Sequence, residues 1–160
     1  MNEHDVQYLL DRQSIRDTLH RNAVYFDEGD LSRMDEVWAE DSRRDDGEDR
    51  GGAIEGRDEL VKQFARLMAK YRWTHHQLGD SVIDIDGANA TSMTYVLCWH
   101  ETVAGELCWG AARYHDKLRR GDDGRWLITE RRMVMTGADG PVAKDGGNWL
   151  KRKSDPFGGQ

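Results

Sequence analysis

The chain has 160 residues, of which 33% are charged and 38% are hydrophobic, and its 30 acidic and 23 basic residues give a formal net charge of -7. This length fits one domain, and an acidic balance without a basic run interleaved with aromatic residues argues against nucleic-acid binding. No apolar run approaches the roughly 20 residues that span a bilayer, and the polar N-terminus lacks a signal-peptide pattern, so we expect a cytoplasmic protein without membrane contact.

The first half of the chain predicts three helices. Apolar residues recur every three to five positions from Asp5 to Phe26, which is the pattern of an amphipathic helix. Gly29 interrupts this pattern, and Asp30 is placed to cap a short second helix from Leu31 to Trp38. A third apolar stripe at helical spacing predicts a helix from Asp58 to Tyr71.

Between the second and third helices lies a segment without an apolar side chain. Glu40–Arg50 reads EDSRRDDGEDR and carries nine charges. A solvated loop is the simpler interpretation of such a run. The alternative is a strand whose inward face is polar because it lines a site.

The second half of the chain predicts an antiparallel meander. Alternating, β-branched and aromatic segments are separated by turns rich in Gly and Asp. The four predicted strands are Gln77–Ile85, Ala90–Val103, Leu107–Arg119 and Trp126–Met135. Helices segregated on one face of a strongly curved sheet give an α+β fold. Such a cone-shaped arrangement leaves a cavity for a small apolar ligand.

The composition changes after the last predicted strand. Gly, Pro, Lys and Asp dominate from Gly137 onward, so we assign residues 1–136 to the domain and residues 137–160 to a C-terminal tail that is partly flexible or forms an interface. Trp149, Leu150 and Phe157 are candidate anchors within that tail.

Asp27 is the first candidate for chemistry. It follows the apolar stripe of the first helix, beside Tyr25 and Phe26. Burial there would raise the pKa of its carboxyl group, and such a group acts as a base or orients a histidine. The competing interpretation is a capping or surface acid at the end of the helix.

Two adjacent histidines open the first long strand. Because neighbouring strand residues point to opposite faces, only one of His75 and His76 can face the cavity. Alternation groups His76 with Leu78, and also with Asp80 and Val82 if no bulge intervenes. A satisfied polar residue remains the alternative to a catalytic one.

Later strands add a histidine and an arginine. His100 alternates with Val96 and Cys98, so it faces the cavity if this set of smaller residues lines it; otherwise it is a rim residue paired with a nearby acid. Arg131 on the last strand is placed to bind an anionic leaving group, with a structural ion pair as the alternative.

Motifs for cofactors and metals are absent from the sequence. There is no GxGxxG or GxxxxGK[ST] spacing. No acidic residue or histidine stands at a recognisable ligand spacing from the His75–His76 pair. Cys98 and Cys108 form no CxxC motif, and we expect both thiols to stay reduced. We therefore predict neither a cofactor nor a metal.

Several segments resemble the SnoaL-like family of the nuclear transport factor 2-like superfamily, in order and spacing. The segments are Asp11–Asp17, Tyr25–Asp30, Thr74–Asp80, Ala112–Asp116, Asp123–Ile128 and Glu130–Arg132. The resemblance implies an α+β cone, usually a homodimer or homotrimer, that is often a cofactor-free lyase, isomerase or cyclase. The most similar branch contains scytalone dehydratase and hexachlorocyclohexane dehydrochlorinase.

The resemblance also assigns roles to residues. Asp27 and His76 fall on the catalytic Asp–His dyad of that branch, His100 on a second pocket histidine and Arg131 on an arginine of the last strand. The predicted substrate contacts are Asn22, Tyr25, Trp38, Val96, Cys98 and Tyr114.

The charged segment departs from the family pattern. Its counterpart in relatives is mostly apolar and contains a tyrosine that orients the substrate in the dehydratase, which is missing here. Arg43, Arg44 or Asp45 is therefore expected to give the cavity a polar wall.

The expected function is a lyase that removes a proton from carbon in a small hydrophobic cyclic or aromatic molecule. The first alternative is an isomerase or polyketide cyclase that uses the same dyad. The second is a non-catalytic protein that binds a small molecule or serves as an accessory subunit.

Overall fold

The computed structural model describes residues 2–48 and 51–140. Two α-helices, α1 (Glu3–Glu28) and α2 (Arg57–Met68), flank a 3-10 helix (Leu31–Glu36). The six strands are β1 (Trp38–Asp45), β2 (Ala53–Glu55), β3 (Tyr71–Asp86), β4 (Asn89–Thr102), β5 (Leu107–Arg120) and β6 (Trp126–Asp139). No helix within these residues combines the length and the apolar character needed to cross a membrane.

The helices lie where the sequence predicts them, with different ends. The short second helix is of the 3-10 type, and the Asp30 side chain accepts a hydrogen bond from the Ser32 hydroxyl instead of capping the backbone. The third helix ends at Met68, and Tyr71 already belongs to β3. The last strand continues to Asp139, and most of the predicted tail, including Trp149, Leu150 and Phe157, lies outside the described residues.

The sheet contains the predicted meander and two further strands. Its order is β2-β1-β6-β5-β4-β3, with β3 to β6 antiparallel and β1 parallel to β6. Because β2 and β3 form the two edges, the sheet is curved but not closed in the described residues. The fold is therefore α+β, as expected, with a mixed sheet instead of a purely antiparallel one.

The charged segment is a strand over much of its length, so the solvated-loop interpretation is wrong for residues 40–45. β1 pairs with β6 on one side and with β2 on the other, which satisfies its backbone groups. Ser42 is fully buried, and Arg43 forms an ion pair with Glu55 of β2 at 2.9 Å. The high charge density alone favours a loop, but strand pairing and cross-strand ion pairs allow these charged residues to form a strand.

α1 is held against the sheet by apolar packing and by buried hydrogen bonds. Ile15 and Leu19 are buried in the core. The Thr18 hydroxyl donates to the carbonyl of Trp126 at 2.8 Å, and the Trp126 indole donates to Asp11 at 2.9 Å. These contacts fix the helix on the sheet, which places its C-terminal residues beside β3.

A β-bulge in β3 decides which of the two adjacent histidines points inward. Between the cross-strand pairs Ser81–Thr94 and Leu78–Val96, β3 advances three residues while β4 advances two. Without this extra residue, alternation from the inward-facing Ser81 would continue to His75. With it, His76 is partly buried and His75 is exposed on the outer face.

Candidate active site

The centre of the candidate site is a contact between the end of α1 and β3. Asp27 Oδ1 lies 2.6 Å from Nδ1 of His76, and Asp27 Oδ2 accepts a hydrogen bond from the His76 backbone N–H at 2.6 Å. The Thr74 hydroxyl donates to Oδ1 at 2.9 Å. The Asp27 and His76 side chains are 17% and 13% exposed, so water has little access to the pair.

The pKa of Asp27 is lowered, contrary to the sequence-based expectation that it is raised. Burial does raise the pKa of this carboxyl group, and it is the largest single effect. The hydrogen bond and charge of the His76 side chain, its backbone N–H and the Thr74 hydroxyl together outweigh burial. Asp27 is therefore a carboxylate at neutral pH, and Nδ1 of His76 must be the donor in their hydrogen bond.

A second histidine stands edge-on to His76. The ring centroids of His76 and His100 are 5.2 Å apart at an interplanar angle of 87°, and Phe26 contacts His76 in a similar edge geometry at 5.3 Å. Burial, followed by the charge of His76, lowers the pKa of His100 to about 4. His100 is thus neutral near pH 7, and its buried Nδ1 has no hydrogen-bond partner among the described residues.

His76 and His100 open into a cavity of about 160 Å³ between the helices and the sheet. Its walls are mainly apolar and aromatic, with a few polar groups. The lining residues are Asn22, Ala23, Phe26, Arg44, Asp46, Gln63, Leu67, Tyr71, His76, Val96, Cys98, His100, Cys108, Trp109, Gly110, Ala112, Tyr114, Met133, Met135 and Ala138.

Most of the sequence-predicted site residues reach this cavity. The lining residues among them are His76, His100, Asn22, Val96, Cys98 and Tyr114. Asp27 lies behind His76 and holds it through the hydrogen bonds described above. Four elements therefore converge on one cavity, namely the end of α1 and the inner faces of β3, β4 and β5.

Arg131 does not line the cavity, so its predicted contact with a leaving group is not supported. Its Nε and Nη2 donate to the two oxygens of Asp116 at 2.7 and 2.9 Å, and both side chains are almost completely buried. Its guanidinium also lies 4.1 Å from the ring centre of Tyr114. The alternative of a structural ion pair describes this residue.

Tyr25 and Trp38, two of the predicted substrate contacts, also point elsewhere. The Tyr25 hydroxyl donates at 2.7 Å to Glu36 of the 3-10 helix, and Tyr25 does not line the cavity. Trp38 is fully buried in the core, and its indole donates to Asn22 at 2.8 Å. Trp38 therefore holds Asn22, which lines the cavity, but does not line the cavity itself.

The charged segment contributes to the cavity one arginine from β1 and one aspartate just after it. Arg44 and Asp46 line it and form an ion pair at 2.8 Å, with side chains 12% and 16% exposed. Arg43 points to the other face of β1, where it pairs with Glu55 and Asp45. Of the three residues expected to form a polar wall, Arg44 is the one that does so.

Sequence analysis did not single out several lining residues. Gln63 and Leu67 come from α2, and Met133, Met135 and Ala138 from β6. The apolar stripe of α2 does signal a buried face, but the pattern does not separate residues that pack in the core from those that border a cavity.

The fold and the site together define a small α+β protein whose curved sheet encloses a carboxylate–histidine pair. The model of the SnoaL-like domain matches residues 7–132, so the chain belongs to the SnoaL-like family, as its motifs indicated. No curated protein sequence matches the chain significantly.

Solved structures of low sequence identity share the fold. A scytalone dehydratase candidate from Novosphingobium aromaticivorans is 19% identical with a TM-score of 0.76, covering 82% of this chain and 88% of its own. A type 2 hexachlorocyclohexane dehydrochlorinase is 19% identical with a TM-score of 0.78, covering 85% and 92%. The type 3 dehydrochlorinase from Novosphingobium barchaimii is 17% identical with a TM-score of 0.77, covering 87% and 95%. These similarities confirm the architecture.

Proposed function

We propose that this protein is a cofactor-independent lyase that removes a proton from carbon in a small hydrophobic cyclic or aromatic molecule. The observation that carries the proposal is the Asp27–His76 pair at the wall of a mainly apolar cavity. Asp27 accepts from Nδ1, which leaves the lone pair of His76 Nε2 for the substrate. The names of the dehydratase and dehydrochlorinase neighbours, both elimination enzymes, support the same class of reaction.

The first step is proton transfer from carbon to Nε2 of His76. The electron pair of the broken C–H bond forms the new double bond, and the leaving group on the neighbouring carbon departs with its own bonding pair. The imidazolium that forms is stabilised by the Asp27 carboxylate, to which it stays hydrogen-bonded through Nδ1. Neutral His100 favours this step, since a second positive charge 5.2 Å away would oppose imidazolium formation.

The leaving group needs a polar partner on the cavity wall. His100 and Arg44 are the lining residues placed to supply one. Arg44 replaces Arg131 in this role, because Arg44 lines the cavity beside Asp46, whereas Arg131 does not line it and is buried against Asp116. A halide departs as an anion, and the proton on His76 passes to solvent; a hydroxyl group takes up the proton that His76 removed from carbon and departs as water.

The cavity volume indicates the size of the substrate. An enclosed apolar cavity of about 150 Å³ admits benzene, and the cavity here measures about 160 Å³. We therefore propose a substrate with a single six-membered ring and small substituents.

The proposal is tested by product analysis with the metal-stripped full-length protein. Monocyclic compounds that carry a halide or hydroxyl group next to an activated C–H bond are incubated in H₂O and in D₂O and analysed by mass spectrometry. The expected result is a product that has lost the mass of water or hydrogen halide. A product that keeps the substrate mass in H₂O and gains deuterium in D₂O would assign the protein to the isomerase class. Compounds that bind, by calorimetry, without turnover would support the accessory-subunit alternative and contradict the proposal.

A further inference from the structure

Two histidines and a cysteine meet in the cavity although no sequence motif links them. His76, Cys98 and His100 each offer one ligand atom, and these atoms all lie within 4.8 Å of one another. The register between β3 and β4 explains this meeting, because His76 pairs directly with Cys98 and His100 follows Cys98 by two residues on the same face. The sequence places His75 next to His76, but His75 lies on the outer face of the sheet and outside the cluster.

We propose that His76, Cys98 and His100 bind a divalent transition metal ion of the zinc type inside the cavity. Imidazole nitrogen and thiolate sulfur are the donors that Zn²⁺ prefers, whereas Mg²⁺ and Ca²⁺ prefer oxygen. Zn–N distances of about 2.0 Å and Zn–S distances of about 2.3 Å place tetrahedral ligand atoms about 3.5 Å apart. Small rotations of the three side chains therefore close the site.

The surroundings of the cluster match those of a metal site. Asp27 accepts the hydrogen bond from Nδ1 of His76, and a carboxylate behind a histidine orients the ligand and increases its basicity. His100 offers the second imidazole nitrogen of the cluster. The buried Nδ1 of His100 has no hydrogen-bond partner among the described residues. The cavity wall therefore holds an unsatisfied polar atom at the cluster.

Binding requires the Cys98 thiol to lose its proton. The Cys98 thiol donates weakly to the carbonyl of Gly110, with sulfur and oxygen 3.5 Å apart. On binding, the thiol proton passes to solvent and the thiolate coordinates the ion, so one proton is released and no electron is transferred. In the complex, the single negative charge of the thiolate partly neutralises the two positive charges of the ion.

Metal binding and proton abstraction exclude each other, since both use the lone pair on Nε2 of His76. A bound ion is therefore an inhibitor of the elimination reaction. Only this consequence rests on the proposed function; the binding itself does not.

The test is a titration of metal-stripped, tag-free full-length protein with Co²⁺, a spectroscopic substitute for Zn²⁺. The expected result is a thiolate-to-cobalt charge-transfer band that saturates at one equivalent and disappears on addition of Zn²⁺. Cys98→Ser should abolish the band and weaken Zn²⁺ binding by more than about tenfold, the lower limit for loss even of an outer-shell group. Cys108→Ser is the matched control, because Cys108 lines the same cavity but lies outside the cluster; it should keep the band.

A second measurement needs no variant. Saturating Zn²⁺ should slow alkylation of Cys98 relative to the metal-free protein, as read from peptide masses, with the change at Cys108 much smaller. Absence of the band in the wild-type protein, a band that survives Cys98→Ser, or unchanged Cys98 alkylation would each overturn the proposal. Because these measurements do not use turnover, binding without any elimination activity would refute the proposed function and leave the metal site standing.

Discussion

Replacement of His76 by alanine is expected to lower kcat by about 10²–10⁴-fold, the usual contribution of a general acid–base group. The physical reason is that Nε2 of His76 is the proposed proton acceptor, and Asp27 is held away from the cavity behind the ring. The measurement is the rate of product formation under saturating substrate, with circular dichroism to verify that the variant is folded.

His75→Ala is the matched control for this prediction. His75 precedes His76 in β3 but lies on the outer face, where it stacks on Trp73 at 5.8 Å between ring centroids. Its removal should leave kcat within about twofold of wild type, because a surface substitution of this kind rarely changes more than local packing. Equal losses of kcat in His76→Ala and His75→Ala would show that the rate depends on the integrity of β3 and not on the Asp27–His76 dyad.

Asp27→Asn tests the other half of the dyad. An asparagine fills the same space but carries no charge to stabilise the imidazolium, and its amide group no longer fixes the tautomer of His76. We expect a loss of kcat similar to that of His76→Ala, as in other carboxylate–histidine pairs, where it reaches about 10⁴-fold. KM should change little, since Asp27 does not line the cavity. A variant with wild-type kcat would assign Asp27 a structural role.

Removal of one partner from the Arg131–Asp116 pair is expected to lower the free energy of unfolding by about 3–5 kcal/mol, because the other charge stays buried without compensation. The two side chains are 1% and 0% exposed and share two hydrogen bonds. Arg131→Met and Asp116→Leu each leave an isolated charge, whereas the double variant leaves none and should be more stable than either. Urea denaturation of the variants measures these differences.

Lys117 and Glu130 supply the control pair on the same two strands. Their charged groups lie 2.8 Å apart, but the side chains are 64% and 35% exposed. Loss of this pair should cost about 1 kcal/mol or less, because solvent screens exposed charges. Stabilities of Arg131→Met and Asp116→Leu within 1 kcal/mol of wild type would contradict the structural role assigned to the buried pair.

The sequence predicts those parts of the fold that depend on local pattern. The apolar stripe of α1 and the Gly- and Asp-containing turns of the meander are read correctly, because helical spacing and turn residues act within a few positions. The family motifs around Asp27 and His76 indicate the two residues that the structure brings to 2.6 Å.

Other features depend on pairing between distant segments. β1 is stabilised by β2 and β6, so its charged sequence alone favours a loop. The bulge that turns His76 inward shows only in the register with β4. Arg131 and Asp116 meet across β5 and β6, and no local signal separates a buried arginine with a partner from one that faces a cavity.

The central claim is that Asp27 holds His76 with its lone pair on Nε2, toward the cavity. Nitrogen-15 NMR of histidine-labelled, metal-stripped full-length protein tests it most directly, with His76→Ala to assign the resonance. We expect a proton on Nδ1 of His76, strongly deshielded by the short hydrogen bond to Asp27, and an unprotonated Nε2. A His76 that carries its proton on Nε2 would contradict it, because that ring has no lone pair to offer the substrate.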